Sequence, residues 1–148
     1  MDFLPSFSEF SKKLKKNKNQ IVYTKFSADL DTPVSLMMKL AKEEKNSFLL
    51  ESVTGGEIKG RYSVIGMKPD LIWKCNLEES EINRKVLEKS NNFIKQSNPP
   101  VSELKSLIKE SYLQIPDNLP AMSAGLFGYL SYEMINFVKK ISEIKKND

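Results

Sequence analysis

Two polar residues close an apolar run near the middle of this chain: Glu51 and Ser52 follow Phe48, Leu49 and Leu50. Polar groups at the inner end of an apolar strand need partners or water. A carboxylate suits an amine or a guanidinium, and a hydroxyl suits a carboxylate or a main-chain group. Arg61 and Ser63 open the next apolar stretch, across a turn, and could supply those partners. The four residues therefore form either a satisfied network within a sheet or part of a ligand site. A second place is GLFGYLSYE, beginning at Gly125. Gly125 and Gly128, three apart in an apolar stretch, suggest close approach of another backbone or a ligand. The competing reading is tight sheet packing against Tyr129 and Tyr132.

No catalytic set is visible around these places. The chain has no histidine, which removes the commonest general base and a common metal ligand. The one cysteine, Cys75, has no histidine to activate it as a nucleophile. Glu51, Glu57, Asp70 and Glu133 sit near candidate strands, but no spacing places two of them on one face as an acid–base pair or a metal site. Neither Gly55-Gly56 nor the Gly125/Gly128 pair opens a lysine-bearing helix, so neither is a phosphate loop.

The elements that must position these residues follow from periodicity. Residues 6–16 place Phe7, Phe10 and Leu14 at helical spacing, with lysines opposite, and NKN at 17–19 ends that helix. Residues 20–28 alternate as a strand. Thr32 and Pro33 are an N-cap and a first helical residue, and Val34, Met37, Met38, Leu40 and Ala41 form the stripe of a helix ending near Lys45. Residues 47–53, 61–66 and 71–77 are three short strands joined by TGGE and MKPD turns, which predicts an antiparallel meander. Residues 81–96 read as a strand and a helix, or as a helix throughout. A helix over 101–114, capped by Ser102, aligns Leu104, Leu107, Ile108 and Tyr112. A proline-bearing loop leads to a strand from Gly125 and a last helix over NFVKKI. The fold class expected is α+β, with antiparallel β-sheets (sandwich-like) and flanking helices, in one domain over 1–148.

Apolar residues make up 40% and charged residues 28% of the 148, the balance of a water-soluble globular protein. MDFLPSFSEF lacks the basic start and apolar run of a leader, and no apolar run reaches membrane-spanning length, so no membrane partner is expected. With a single cysteine, that points to a reducing cytoplasm. The net charge of +4 invites a nucleic-acid reading. It is set aside because only Arg61 and Arg84 among 23 basic residues are arginine, and the lysines gather near the two ends.

LLES at 49–52, followed by RYSVIG at 61–66, resembles the amino-terminal segment of the large subunit of anthranilate synthase. The likeness continues through Lys68-Pro69 to Trp73 and ends in a glycine–tyrosine segment matched by Gly125, Gly128, Tyr129, Tyr132 and Glu133. DLDTPVSL resembles the family's opening helix, so the likeness runs from about residue 22 to 140. The resemblance implies an amino-terminal, non-catalytic domain in tryptophan biosynthesis. The whole family protein turns chorismate into anthranilate and pyruvate, using ammonia from a glutamine amidotransferase subunit. Its histidine, glutamates and magnesium belong to a carboxy-terminal catalytic domain expected to lie beyond Asp148, so no cofactor and no activity are expected of this chain alone. L-Tryptophan is the expected effector, with Leu50, Glu51 and Ser52 lining its site and Arg61, Ser63, Gly128 and Tyr129 in support. Alternatives are the same domain of aminodeoxychorismate synthase, against which Glu51 argues, and a free-standing small-molecule sensor or interaction module.

Overall fold

The computed structural model describes residues 2–16, 19–51, 62–76 and 78–132. The chain is α+β, with small antiparallel sheets and, among the described residues, three helices. Two compact units divide it: residues 1–26, 75–80 and 96–148 form one, and 27–74 with 81–95 form the other.

In the first unit, α1 spans Phe7–Leu14. Ser6 caps it through a reciprocal pair: the Glu9 N–H donates to Ser6 Oγ, and the Ser6 N–H donates to Glu9 Oε2 at 3.2 Å. Two of the orphan donors at the helix start are thereby satisfied. The stretch 20–28, expected as a strand, makes only an isolated bridge, in which Leu4 and Tyr23 exchange N–H···O bonds of 2.8 Å. Pro5 follows Leu4 and has no N–H with which to extend a ladder. Tyr23 and Lys25 turn instead to Asn118: the Tyr23 hydroxyl lies 2.8 Å from Asn118 Nδ2, and Lys25 Nζ donates to the Asn118 carbonyl at 2.7 Å.

The other helix of this unit, α3, spans Pro100–Glu110. It starts earlier than expected: Pro99 is the N-cap and Ser102 makes no capping bond. Pro100 at the first helical position has its φ preset and lacks an N–H that would be orphaned there anyway. The helix stops at Glu110 rather than Gln114, with Tyr112 N–H reaching back to Lys109 O in a tighter final turn. Leu107 is the buried member of the expected stripe, and Ile108 and Tyr112 are exposed.

In the second unit, α2 spans Pro33–Ala41 with Thr32 as N-cap. The Ser35 N–H donates to Thr32 Oγ1 at 3.1 Å, and the Thr32 N–H donates to Ser35 Oγ at 2.9 Å. The helix ends before Lys45 because the chain turns there: Glu44 N–H bonds Ala41 O, and Asn46 takes φ 60°, a left-handed angle that asparagine tolerates. The turn delivers β1 (Phe48–Glu51), which pairs antiparallel with β2 (Ser63–Gly66); α2 packs on both. Phe48 faces Gly66 in the register, and its ring fills the space where a side chain at 66 would stand.

The third strand of the expected meander does not join this pair. β3 (Ile72–Cys75) lies in a separate sheet of order β3-β4-β5, with β4 at Ser80–Asn83 and β5 at Ile94–Lys95. Lys68 at φ 51°, followed by Pro69, bends the chain off the first ladder. A short turn then leads from β3 to β4, with Asn76 Oδ1 accepting the N–H groups of Glu78 and Glu79 at 2.9 and 2.7 Å. Residues 81–96 hold no helix: Glu81 pairs with Lys95 and Ile82 with Ile94. Asn83, with no exposed surface, determines this. Its Nδ2 donates to the carbonyls of Lys89 and Ser90 at 2.7 and 3.2 Å, and its Oδ1 accepts from Lys85 N–H at 2.9 Å. These bonds hold the connection as a turn rather than a helix. Ile82 and Val86 are the buried apolar residues beside it.

The strand expected from Gly125 does not form among the described residues, since 125–131 lie outside any helix or strand. Its residues 125–131 are exposed. The expected last helix and the TGGE turn lie outside the described residues.

Candidate functional site

The β1–β2 ladder presents three of the residues singled out in the sequence. Glu51 is directly opposite Ser63, and Leu50 is opposite Val64. Successive residues of a strand point to opposite faces. Glu51 and Ser63 therefore share one face, and Leu50 shares the other with Val64. Leu50 is half exposed, and Glu51 and Ser63 are exposed. The Glu51 carboxylate thus stands in water, at the ladder's end, and needs no partner within the sheet. Ser52 and Arg61 lie outside the described residues. Gly128 and Tyr129 belong to the other compact unit, both exposed, Tyr129 almost wholly.

Charged groups elsewhere in the second unit include two surface ion pairs among the described residues. Lys39 pairs with Asp31, and Lys68 Nζ lies 3.1 Å from Glu44 Oε1. The Lys39 ammonium, helped by the Ser35 hydroxyl, holds the Asp31 carboxyl below its usual range. Lys74 Nζ sits 3.9 Å from the centre of the Phe93 ring, a cation–π contact. Burial pushes the Cys75 thiol up, which makes it a poor nucleophile.

An open depression of about 310 Å³ lies between Glu43–Asn46 on one side and Val86, Leu87 and Ser90 on the other, with Pro69 at its edge. None of the candidate site residues Leu50, Glu51, Ser52, Arg61, Ser63, Gly128 and Tyr129 is among those lining it. Among the described residues, no three cysteine, aspartate or glutamate side chains converge to hold a metal ion, so these residues do not fit a magnesium site. No described helix is long and apolar enough to cross a membrane. Among the described residues, the end of the strand pair thus carries half-exposed Leu50 on one face and exposed Glu51 and Ser63 on the other. Sequence reasoning missed Asn83, whose burial has no local signal, and found the Glu51–Ser63 neighbourhood from strand order alone.

Comparison with known proteins supplies what the geometry leaves open. No protein-family model matches the chain, and no solved structure matches it. Curated proteins do. The chain is 51% identical over 141 residues to the anthranilate synthase component 1 of Cereibacter sphaeroides, a match covering 95% of this chain and 28% of that protein. It is 36% identical over 138 residues to the protein of the same name from Synechocystis, covering 91% and 26%. It is 32% identical over 133 residues to that of Aquifex aeolicus, covering 89% and 26%. The chain thus spans little more than a quarter of the length of the curated relatives it matches. Agreement along nearly all of this chain, with relatives that share one name, leads to one assignment: the chain belongs to the anthranilate synthase component 1 family and corresponds to an amino-terminal region of its members.

Proposed function

We propose that this chain is the non-catalytic, regulatory region of an anthranilate synthase large subunit and carries part of a feedback site for L-tryptophan. The observation that carries the reading is the LLES strand. It lies within a match of 51% identity to a protein named anthranilate synthase component 1, and in the fold it ends an exposed ladder. The longer protein would act in the cytoplasm on chorismate, with ammonia from a glutamine amidotransferase subunit, and form anthranilate and pyruvate. Magnesium would be held by a carboxy-terminal catalytic domain, which is also this region's partner.

The chemistry of the strand end suits an amino acid, which presents an ammonium, a carboxylate and a flat apolar ring. Leu50 packs the ring. In β1, Leu50 lies on one face and the Glu51 carboxylate on the other. A ligand lying against Leu50 therefore meets Glu51 through its main-chain carbonyl, which can accept from the ammonium, while the Ser52 hydroxyl reaches a polar group. Ser63, opposite Glu51 in the ladder, and Arg61 are supporting residues in this reading, as are Gly128 and Tyr129.

A hydrogen bond to a charged group contributes roughly 1.5–3 kcal/mol, and complete burial of an aromatic ring about 2–3 kcal/mol. A half-open pocket that loses about 4 kcal/mol of these contacts binds roughly a thousandfold more weakly. Calorimetry on the 148-residue chain should therefore give millimolar tryptophan binding or none. The longer protein should be inhibited by tryptophan, and Glu51→Ala or Ser52→Ala should reduce that inhibition while leaving uninhibited turnover in place. Micromolar binding by this chain alone would instead identify a free-standing sensor. Inhibition unchanged in both variants would remove the strand from the site.

A further inference from the structure

Alternation along the β1–β2 ladder separates two faces. Phe48, Leu50, Val64 and Gly66 fall on one, and Leu49, Glu51, Ser63 and Ile65 on the other. The last rung is therefore polar, where exposed Glu51 meets exposed Ser63, and the rung before it is apolar on the opposite face. Residues directly opposite in a ladder have Cβ atoms about 4.5–5.5 Å apart, so the Leu50 and Val64 side chains form one continuous surface. They differ in depth: Leu50 is exposed, and Val64 only partly so. Leu50 is the rim of that surface and Val64 its floor.

The same face is bounded on its inner side. The residue after Val64 on this face is Gly66, and the Phe48 ring occupies the space where a side chain there would stand. A flat ring laid on Leu50 cannot slide inward without meeting the Phe48 ring. An indole is wider than one leucine side chain, so a ring against Leu50 overlaps its neighbour on that face. With the inner side taken, that neighbour is Val64. Valine is β-branched and stiff at χ1, so a floor made of it does not move aside for a larger ligand.

We propose that Val64 is a specificity-determining residue of the tryptophan site: the Leu50–Val64 pair seats the indole, and the bulk of Val64 decides which ring substituents fit. The proposal rests on the reading of β1 as part of a feedback site for L-tryptophan, and it adds to that site a residue of the neighbouring strand which the LLES motif does not contain.

Inhibition curves on the longer protein test it, with L-tryptophan and 6-methyl-L-tryptophan as the two ligands. One methylene more or less in an apolar pocket changes affinity roughly tenfold or more. Val64→Ala makes room on the floor and should shift the ratio of the two half-inhibiting concentrations about tenfold in favour of the methylated ligand. Val64→Ile fills that room, keeps a β-branched residue in the strand and should shift the ratio the other way. Should Val64→Ala fold poorly, Val64→Ile decides alone. Ile65→Val removes one methylene from the opposite face and should leave the ratio where it is. A ratio unmoved in the Val64 variants, while Leu50→Ala still weakens inhibition, overturns the proposal and leaves the feedback reading standing. An equal shift in Ile65→Val overturns it too, since the effect would then belong to the sheet and not to one face. A parent protein that tryptophan does not inhibit at all removes the feedback reading and this proposal with it.

Discussion

Asn83 is the most constrained side chain described, wholly buried yet spending both ends of its amide on main-chain atoms. Removing a buried partner leaves carbonyls and an N–H unsatisfied, which costs about 1–3 kcal/mol per group. Asn83→Ala should therefore lower stability by about 2–4 kcal/mol in urea unfolding, and Asn83→Asp should rescue only the bond to Lys85 N–H, since a carboxylate has no proton for the two carbonyls. Gly66 is constrained by volume instead, because the Phe48 ring occupies the place of its missing side chain. Gly66→Ala should cost about 1–3 kcal/mol through overpacking. Combined with Phe48→Ala it should cost less than the sum of the two single changes, the signature of contact. Neither residue announces itself in the sequence. Burial of an asparagine depends on which turns close around it, and the match of a ring to a glycine depends on strand register.

At the scale of elements, what could be read was local and what failed was long-range. The starts of α1 and α2 were legible because their signals are local: the spacing of Phe7, Phe10 and Leu14 for the first, and Thr32 with Pro33 for the second. Thr32→Ala should cost about 1 kcal/mol, and a thermal melt will register it. The pairing of β1 with β2 was legible too, since two apolar runs joined by a short loop have few other partners. The transfer of β3 to another sheet was not, because Lys68 and Pro69 mark a bend without saying where the strand goes next. For 81–96, helical periodicity and the buried Asn83 competed, and the asparagine prevailed. The α2 surface also carries a pH dependence. Asp31 has a lowered carboxyl pKa, so Lys39 stabilises the fold above the unfolded carboxylate range, and that gain is lost as pH falls through the folded value. Lys39→Met should therefore differ from the parent in melting temperature at neutral pH, slightly for so exposed a pair, and converge with it in acid.

At the scale of the whole molecule, buried apolar residues are, among the described residues, few against the many large apolar side chains left in water. Phe7, Phe26, Leu30, Tyr129 and Tyr132 all stand exposed. The 148-residue chain should bind a hydrophobic dye more strongly, per residue, than the longer protein, and fluorescence titration of the two will decide it. Mixed with chorismate, ammonia and magnesium, this chain should give no anthranilate fluorescence above blank; turnover would show that a catalytic set had been overlooked. The candidate site was legible only in part. Leu50, Glu51 and Ser63 could be placed from strand order, but whatever covers them is not written in this stretch of sequence.

The bonds of Asn83 run to main-chain atoms, which every residue type possesses, and this determines how the family can drift. Side chains at 85, 89 and 90 are free to change, because nothing is asked of them but a carbonyl or an N–H in the right place. What is fixed is the count of residues between the asparagine and the groups it binds. A library of variants at 85 and 87–92 should thus tolerate most substitutions, while single-residue insertions and deletions there should be rejected, so that this turn is spelled by its length and not by its letters.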